Sequence, residues 1–232
     1  MNKIEAGLKL DFNNVLIRPK RSTLNSRSEV SLTRKFKFAN AKKIVDGEYV
    51  PIEWEATPII AANMDTTGTF EVYDVLSKHN MITALNKFYT IEQLQEKCGS
   101  RQMNPDLFML CTGIGEGSLE YLEDVFSKIT CNWICIDIAN GYIAKLIEFC
   151  RAVRDRFPDK IIVAGNVVTR EIVEELILNG KVDVVKVGIG NGSACSTRIK
   201  TGVGMPQVSA IIECADAAHG VGGHIISDGG IT

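Results

Sequence analysis

The sequence predicts an α/β protein built as a TIM-type (β/α)8 barrel, with seven strands present and the eighth missing from the 232 residues. Three observations lead to that class. Seven short apolar or β-branched runs recur from Pro58 onward, and their near-continuous apolar character is that of parallel strands buried on both faces. Each run but the last is followed by a turn and an amphipathic stretch. The polar and glycine-rich segments all follow the runs, as they do at the C-terminal face of a barrel. A doubly wound open sheet is the alternative arrangement of the same units.

The runs are PIIAANM (58–64), MITALNKF (81–88), LFMLCTG (107–113), WICIDIA (133–139), IIVAGNV (161–167), DVVKVGI (183–189) and HIISDGG (224–230). Between them, Thr90 and Gln93 spell a capping box for a helix carrying Ile91 and Leu94. Ser118 precedes a stripe of Leu119, Leu122, Val125, Phe126 and Ile129, and a second stripe runs through Ile143, Leu146, Ile147, Cys150 and Val153. Thr169 opens a helix that Gly180 closes; Pro206 occupies a first-turn position, and Gly220 follows the end of that last helix. Residues 1–50 lack the βα pattern. They read as an extended, partly basic arm (RPKRSTLNSRSEV) with short antiparallel strands around 32–38 and 49–54. The whole of 1–232 is therefore expected to be a single barrel domain, with βα units over 58–232 that are incomplete at the C-terminus.

Composition narrows the function classes. Apolar content of 45%, charged content of 23% and a formal net charge of −2 are ordinary for a soluble globular chain. They give no bulk attraction to nucleic acid or to a membrane surface. No apolar run approaches the ~18 residues of a membrane span, and the start, MNKIEAGLKLDFNN, lacks a signal-peptide core; the expected location is cytoplasmic. The seven cysteines (Cys98, Cys111, Cys131, Cys135, Cys150, Cys195 and Cys214) are odd in number and include no C-x-x-C pair, which argues against a disulfide framework and a zinc site.

Three segments carry candidate chemistry. GIGEGS (113–118), with Asp137 further on, loosely mimics a dinucleotide fingerprint, but Ser118 stands where the third glycine belongs, and a plain tight βα turn explains it better. SDGG (227–230) offers a carboxylate suited to vicinal ribose hydroxyls and two glycines whose N–H groups can approach a phosphate; a polar turn is the bland alternative. The sharpest is GIGNGSACSTR, where Cys195 sits among glycines rather than against apolar neighbours. Glycines 188, 190 and 192 can turn carbonyls toward a hard cation, Ser193 suits a phosphate, and a thiol held there could attack an electrophilic carbon, although most cysteines are inert. Thr197 would be a proton relay or a simple turn residue.

The segment GIGNGSACSTRIKTGVGMPQVSAI resembles the active-site loop of the IMP dehydrogenase/GMP reductase family. LDFNNVLIRPKRSTLNSRSEV, PIIAANMDTTGTF, IDIANGY, RIKTGVG and ECADAAHG resemble its reductase branch, and the gap between Lys87 and Leu107 is too short for the regulatory domain usual in the dehydrogenases. The resemblance covers essentially the whole chain. It implies that Cys195 attacks C2 of GMP, that ammonia leaves, and that NADPH delivers hydride to the resulting thioimidate, releasing IMP. It implies Thr197 for proton transfer; Gly190, Gly192, Cys195 and Arg198 for a monovalent cation such as K+; and Ser193, Asp228, Gly229 and Gly230 for the nucleotide. Lys87, Asp137, Ile138, Ala139, Ile189 and Gly190 would line the cofactor side. Ser26 and Arg27 would lie on an arm reaching a neighbouring subunit's cofactor in a homotetramer. Asn191 stands where the family usually has proline, Asn86 where histidine is common, and Asn13 and Asn14 where a charged pair is usual. Competing readings are an IMP dehydrogenase running with NAD, and a nucleotide-binding remnant without turnover. With strand eight and the following phosphate loop unread, residues 1–232 alone are expected to be an inactive fragment.

Overall fold

The computed structural model describes residues 6–231; Thr232 and the first residues of the N-terminal stretch lie outside the described residues. The arm carries two single 3-10 turns, Phe12–Asn14 and Arg27–Glu29. An antiparallel hairpin follows, β1 (Arg34–Val45) and β2 (Glu48–Ala56). The chain then runs through β3 (Ile60–Ala61), α1 (Phe70–Leu76), β4 (Ile82–Ala84), α2 (Ile91–Arg101), β5 (Phe108–Thr112), α3 (Ser118–Lys128) and β6 (Trp133–Asp137). It continues through α4 (Ala144–Arg156), β7 (Ile161–Val167), α5 (Arg170–Leu178), β8 (Val184–Val187), α6 (Thr197–Thr201), α7 (Gln207–Gly220) and β9 (His224–Ser227).

Strands β3 to β9 are all parallel and pair strictly in chain order. A doubly wound sheet reverses its order at a switch point; this one never does, so the sheet is a partial TIM barrel. Strands β3 and β9 are its two ends and do not pair with each other among the described residues.

Element boundaries differ from the sequence reading where the ladder stops before the apolar run does. The run at 58–64 contributes only Ile60–Ala61 to the sheet, and the run at 224–230 ends as a strand at Ser227, because the remaining residues bend away into the site. The hairpin is longer than 32–38 and 49–54. Asp46 and Gly47, at φ 51° and 84°, form a two-residue turn of the kind whose twist suits a hairpin, and a bulge between Phe38 and Lys42 lets β1 continue past a bend. The capping box of α2 forms as expected, with Gln93 N donating to Thr90 Oγ1 and Thr90 N to Gln93 Oε1. Ser118 is the first residue of α3, whose cap is left-handed Gly117 (φ 79°). Pro206 is the N-cap of α7, one position earlier than expected, Gly220 is its last helical residue, and α5 stops at Leu178, before Gly180. The helices α1 and α6 are too short to show a period in the sequence.

The hairpin closes the N-terminal end of the sheet. Phe38 and Trp54 pack edge-on against Trp133 at ring separations of 5.4 and 5.3 Å. The polar anchor is Asp183, fully buried before β8. Its Oδ1 accepts Ala41 N of the bulge at 2.8 Å; its Oδ2 accepts Ile162 N at 2.9 Å and Arg154 Nη2 at 2.5 Å. Arg154 in turn donates to the carbonyls of Lys181, Pro158 and Lys160. One carboxylate thus ties β1, β7 and α4 to the start of β8.

Removing one partner of a buried pair strands the other charge. Arg154→Met is therefore expected to lower unfolding free energy by about 3–5 kcal/mol, measured by urea denaturation. A loss below about 1 kcal/mol, the value of an exposed pair, would show that Asp183 is held by its backbone donors alone.

Candidate active site

Parallel strands deliver all their C-terminal ends to one edge, and the candidate residues collect there. Beyond β8, Gly188 and Gly190 adopt φ of 155° and 77°. A Cβ on Gly190 would lie 2.7 Å from Arg198 Cγ, so the stem of Arg198 fills the space that only glycine leaves. Arg198 Nη2 donates to the Met205 carbonyl at 2.7 Å, and Nη1 lies 3.5 Å from Asp11 Oδ2, which draws the N-terminal arm onto the loop. Leu10 and Ser209 complete that seam with two reciprocal bonds.

Within this loop Cys195 N donates to the Gly192 carbonyl at 3.0 Å, and its Sγ lies 3.2 Å from Thr197 Oγ1, at the start of α6. The other six cysteines are buried; Cys195 is only half-buried. Hydrogen bonding from the Thr197 hydroxyl, and next its backbone N–H, pulls the Cys195 thiol below its ordinary pKa; slight desolvation opposes this, and the Gly190 N–H and the Arg198 charge add to it. Burial acts oppositely elsewhere, pushing Cys98 up to about 11 and Cys131, Cys150 and Cys214 up to about 12. Thr197 is the first residue of α6 rather than part of a turn.

The adjoining turn is stitched to this loop. Asn191 Nδ2 donates to the Asp228 carbonyl at 2.6 Å and to the Gly229 carbonyl at 2.8 Å. Gly229 and Gly230 are left-handed at φ 72° and 68°, and a Cβ on Gly230 would meet the Asn191 carbonyl at 2.5 Å. Asn191 is therefore a side-chain clamp that a proline at this position could not make. Asn86 acts just as locally. Its Nδ2 donates to the Gly68 carbonyl and its Oδ1 accepts Phe88 N, which shapes the turn around exposed Lys87. Asn14 completes a capping box with Asp11.

A cavity of about 470 Å³ opens beside Cys195 and Thr197. It is lined also by Lys87, Asp137, Ile138, Ala139, Ile189, Gly190 and Asp228. Ser193 is exposed and outside this lining; Gly229 and Gly230 are also outside it and lie against Asn191. Ser26 caps the exposed 3-10 turn of the arm, and Arg27 is its first residue. The GIGEGS turn borders a separate cavity of about 260 Å³ that shares only Lys87 with the main one. Asp137 is turned away from that turn and engaged by Lys186 and Asn63, which leaves the dinucleotide-fingerprint reading without its acidic partner.

Sequence reasoning missed the three polar residues Asn63, Asn166 and Lys186 of the cavity, and its apolar wall of Ala62 and Met64. Lys186 Nζ donates to Asp137 Oδ1 at 2.8 Å and Asn63 Oδ1 at 3.2 Å, and lies 3.4 Å from Asp228 Oδ2. Asn166 Nδ2 donates to Asp228 Oδ2 at 2.6 Å. Desolvation favours a neutral lysine, but the acidic groups of Cys135, Asp228 and Asp137 outweigh it and raise its pKa. Asp137 is pushed up by burial yet ends below the usual carboxylate range through Lys186, Asn63 and Lys87. The signal for Lys186 was available: a lone lysine inside the apolar strand DVVKV needs a buried acid.

Fold and site together define a partial barrel with a half-buried, pKa-lowered cysteine beside a carboxylate-bearing cavity at the C-terminal strand ends. The chain belongs to the IMP dehydrogenase / GMP reductase family, whose domain matches residues 9–232. It is 54% identical over 234 residues to GMP reductase 2 of Homo sapiens, covering 99% of this chain and 64% of that protein. It is 50% identical over 236 residues to GMP reductase 1 of Mus musculus, covering 100% and 65%. Against GMP reductase of Vibrio vulnificus (strain YJ016) it is 51% identical over 232 residues, covering 98% and 63%. The chain spans a little under two thirds of the length of these relatives.

The thiolate is the reactive form of cysteine, so Cys195 should alkylate first when the native protein meets a small haloacetamide at neutral pH. Its rate should fall with acidification at a lower pH than for an ordinary thiol, because its pKa is depressed. Peptide mapping checks this; labelling spread evenly over the seven cysteines would contradict the site.

Proposed function

We propose that this site is that of a GMP reductase, converting GMP and NADPH to IMP, ammonia and NADP+. The observation that carries the reading is the half-buried, activated Cys195 beside Thr197 at the mouth of a cavity of nucleotide size. The Cys195 thiolate adds to C2 of the guanine; the 2-amino group takes up a proton and leaves as ammonia, which yields a thioimidate linking Sγ to C2. Covalent attachment divides one difficult displacement into two easier steps. Bound NADPH supplies hydride to C2. The S–C2 bond then breaks, which returns the thiolate and releases IMP. Thr197, 3.2 Å from Sγ, is placed to hand on the proton that the leaving amine requires.

The nucleotide ribose fits Asp228. Both bonds to that carboxylate end on Oδ2, which leaves Oδ1 for vicinal hydroxyls. Left-handed Gly229 and Gly230 give backbone N–H groups close access to a phosphate, with Ser193 at the rim. The cofactor side fits Lys87, Asp137, Ile138, Ala139, Ile189 and Gly190, which share one cavity. A monovalent cation such as K+ would be held by the carbonyls of Gly190, Gly192 and Cys195 with Arg198; neutral oxygens on a glycine turn suit a hard cation, which would order the loop there. The exposed Leu16 and Ile17 on the arm favour burial against other subunits, as a homotetramer would provide, and place Ser26 and Arg27 for a neighbour's cofactor. A cytoplasmic setting belongs to the same reading, since free thiols suit a reducing compartment.

The test follows absorbance at the reduced-nicotinamide band with GMP added. The whole protein as its gene encodes it should oxidise NADPH only with GMP, residues 1–232 alone should not, and Cys195→Ala in the whole protein should lose turnover while binding GMP. Turnover retained in Cys195→Ala would remove the covalent route, and activity only with IMP and NAD+ would assign the site to the dehydrogenase branch.

A further inference from the structure

One row of residues crosses three strands beneath the cavity. Asp137 on β6 pairs in register with Gly165 on β7, and Gly165 with Lys186 on β8. Gly165 is crowded: a Cβ there would meet Lys186 Cβ and the Lys186 carbonyl at 2.6 Å. The missing side chain leaves a channel through which the lysine stem crosses β7 and reaches the carboxylate one strand beyond.

At the end of that stem the ammonium joins four groups from three strand ends of the sheet. Asp137 ends β6, Asp228 follows β9, Asn63 follows β3, and Cys135 faces it from β6. Asn63 closes a triangle, accepting from Lys186 with Oδ1 and donating to Asp137 Oδ2 with Nδ2 at 2.7 Å. Lys87 adds charge toward Asp137 from beyond β4. Lys186 itself is 7% exposed, so water cannot replace it as the counter-charge.

We propose that Lys186, braced by Asn63, is the positioning residue that holds the carboxylates of Asp137 and Asp228 in place, one toward the cofactor and the other toward the nucleotide ribose. This rests on the nucleotide reading of the site. Two carboxylates within 3.4 Å of one nitrogen repel when that charge is removed. One of them then takes up a proton or swings toward solvent. Lys186 thereby links two binding sites that it does not itself need to touch.

The experiment measures binding of IMP and of 2′-deoxyinosine monophosphate by calorimetry, in the whole protein as its gene encodes it. Wild type is expected to prefer the ribonucleotide, through Asp228. Lys186→Met should lose about tenfold to a hundredfold in IMP affinity, the value of a charge-assisted contact, and much less for the deoxynucleotide, so that the preference collapses. Lys186→Arg should restore part of it. A general structural role would weaken both ligands alike. Asn63→Ala keeps every charge and serves if Lys186→Met does not fold; it should raise the KM for NADPH with little change in kcat. An unchanged ribose preference in Lys186→Met, or an unchanged KM in Asn63→Ala, overturns the positioning role. Failure of the wild type to bind IMP overturns the nucleotide reading, and this proposal with it.

Discussion

The shared polarity of seven strands is the constraint on which everything else depends. Because β3 to β9 pair in parallel and in chain order, every connection must return along the outside, and every strand ends on the same edge. Six helices do the returning, and the strand-end segments 62–69, 137–143 and 188–206 are brought face to face although far apart in sequence. The hairpin handles the opposite end, where the aromatic rings of Phe38, Trp54 and Trp133 cover the strand starts.

Strand β8 concentrates the division of labour. Before its first residue stands Asp183, buried and bonded to Ala41, Ile162 and Arg154, which fastens the hairpin to the sheet. Three residues later Lys186 points the other way along the barrel, into the acid-lined cavity. Two further on, the glycine turn begins that carries Cys195. Stability and chemistry are thus separated by a few residues of one strand, with buried, apolar Val184 and Val185 between them.

The sequence was legible where burial imposes a period or continuity. Parallel strands buried on both faces must be apolar throughout, so all seven runs stood out, and the capping box at Thr90 had its own signature. The ends of strands were not legible, because an apolar residue such as Ile189 can leave the ladder and line a cavity instead. The hairpin's extent was hidden by its bulge, which breaks the alternation at Phe38, and α6 was hidden by its shortness. Of the site, glycine strain and an out-of-place cysteine were readable locally. Asn63 and Asn166 were not: each looks like an ordinary polar residue at a strand end, and its meaning comes from Lys186 and Asp228, distant in the chain. Asn191 read as a departure from a family pattern, yet its amide supplies a clamp of its own.

The central claim is that Cys195 activates C2 of a bound guanine nucleotide for reduction. Its most direct test is mass spectrometry of the IMP formed from GMP and NADPH carrying deuterium at the transferring C4 position. The account predicts IMP with deuterium at C2, formed by the wild type and not by Cys195→Ala. IMP free of deuterium at C2, or labelled IMP from Cys195→Ala, would contradict it.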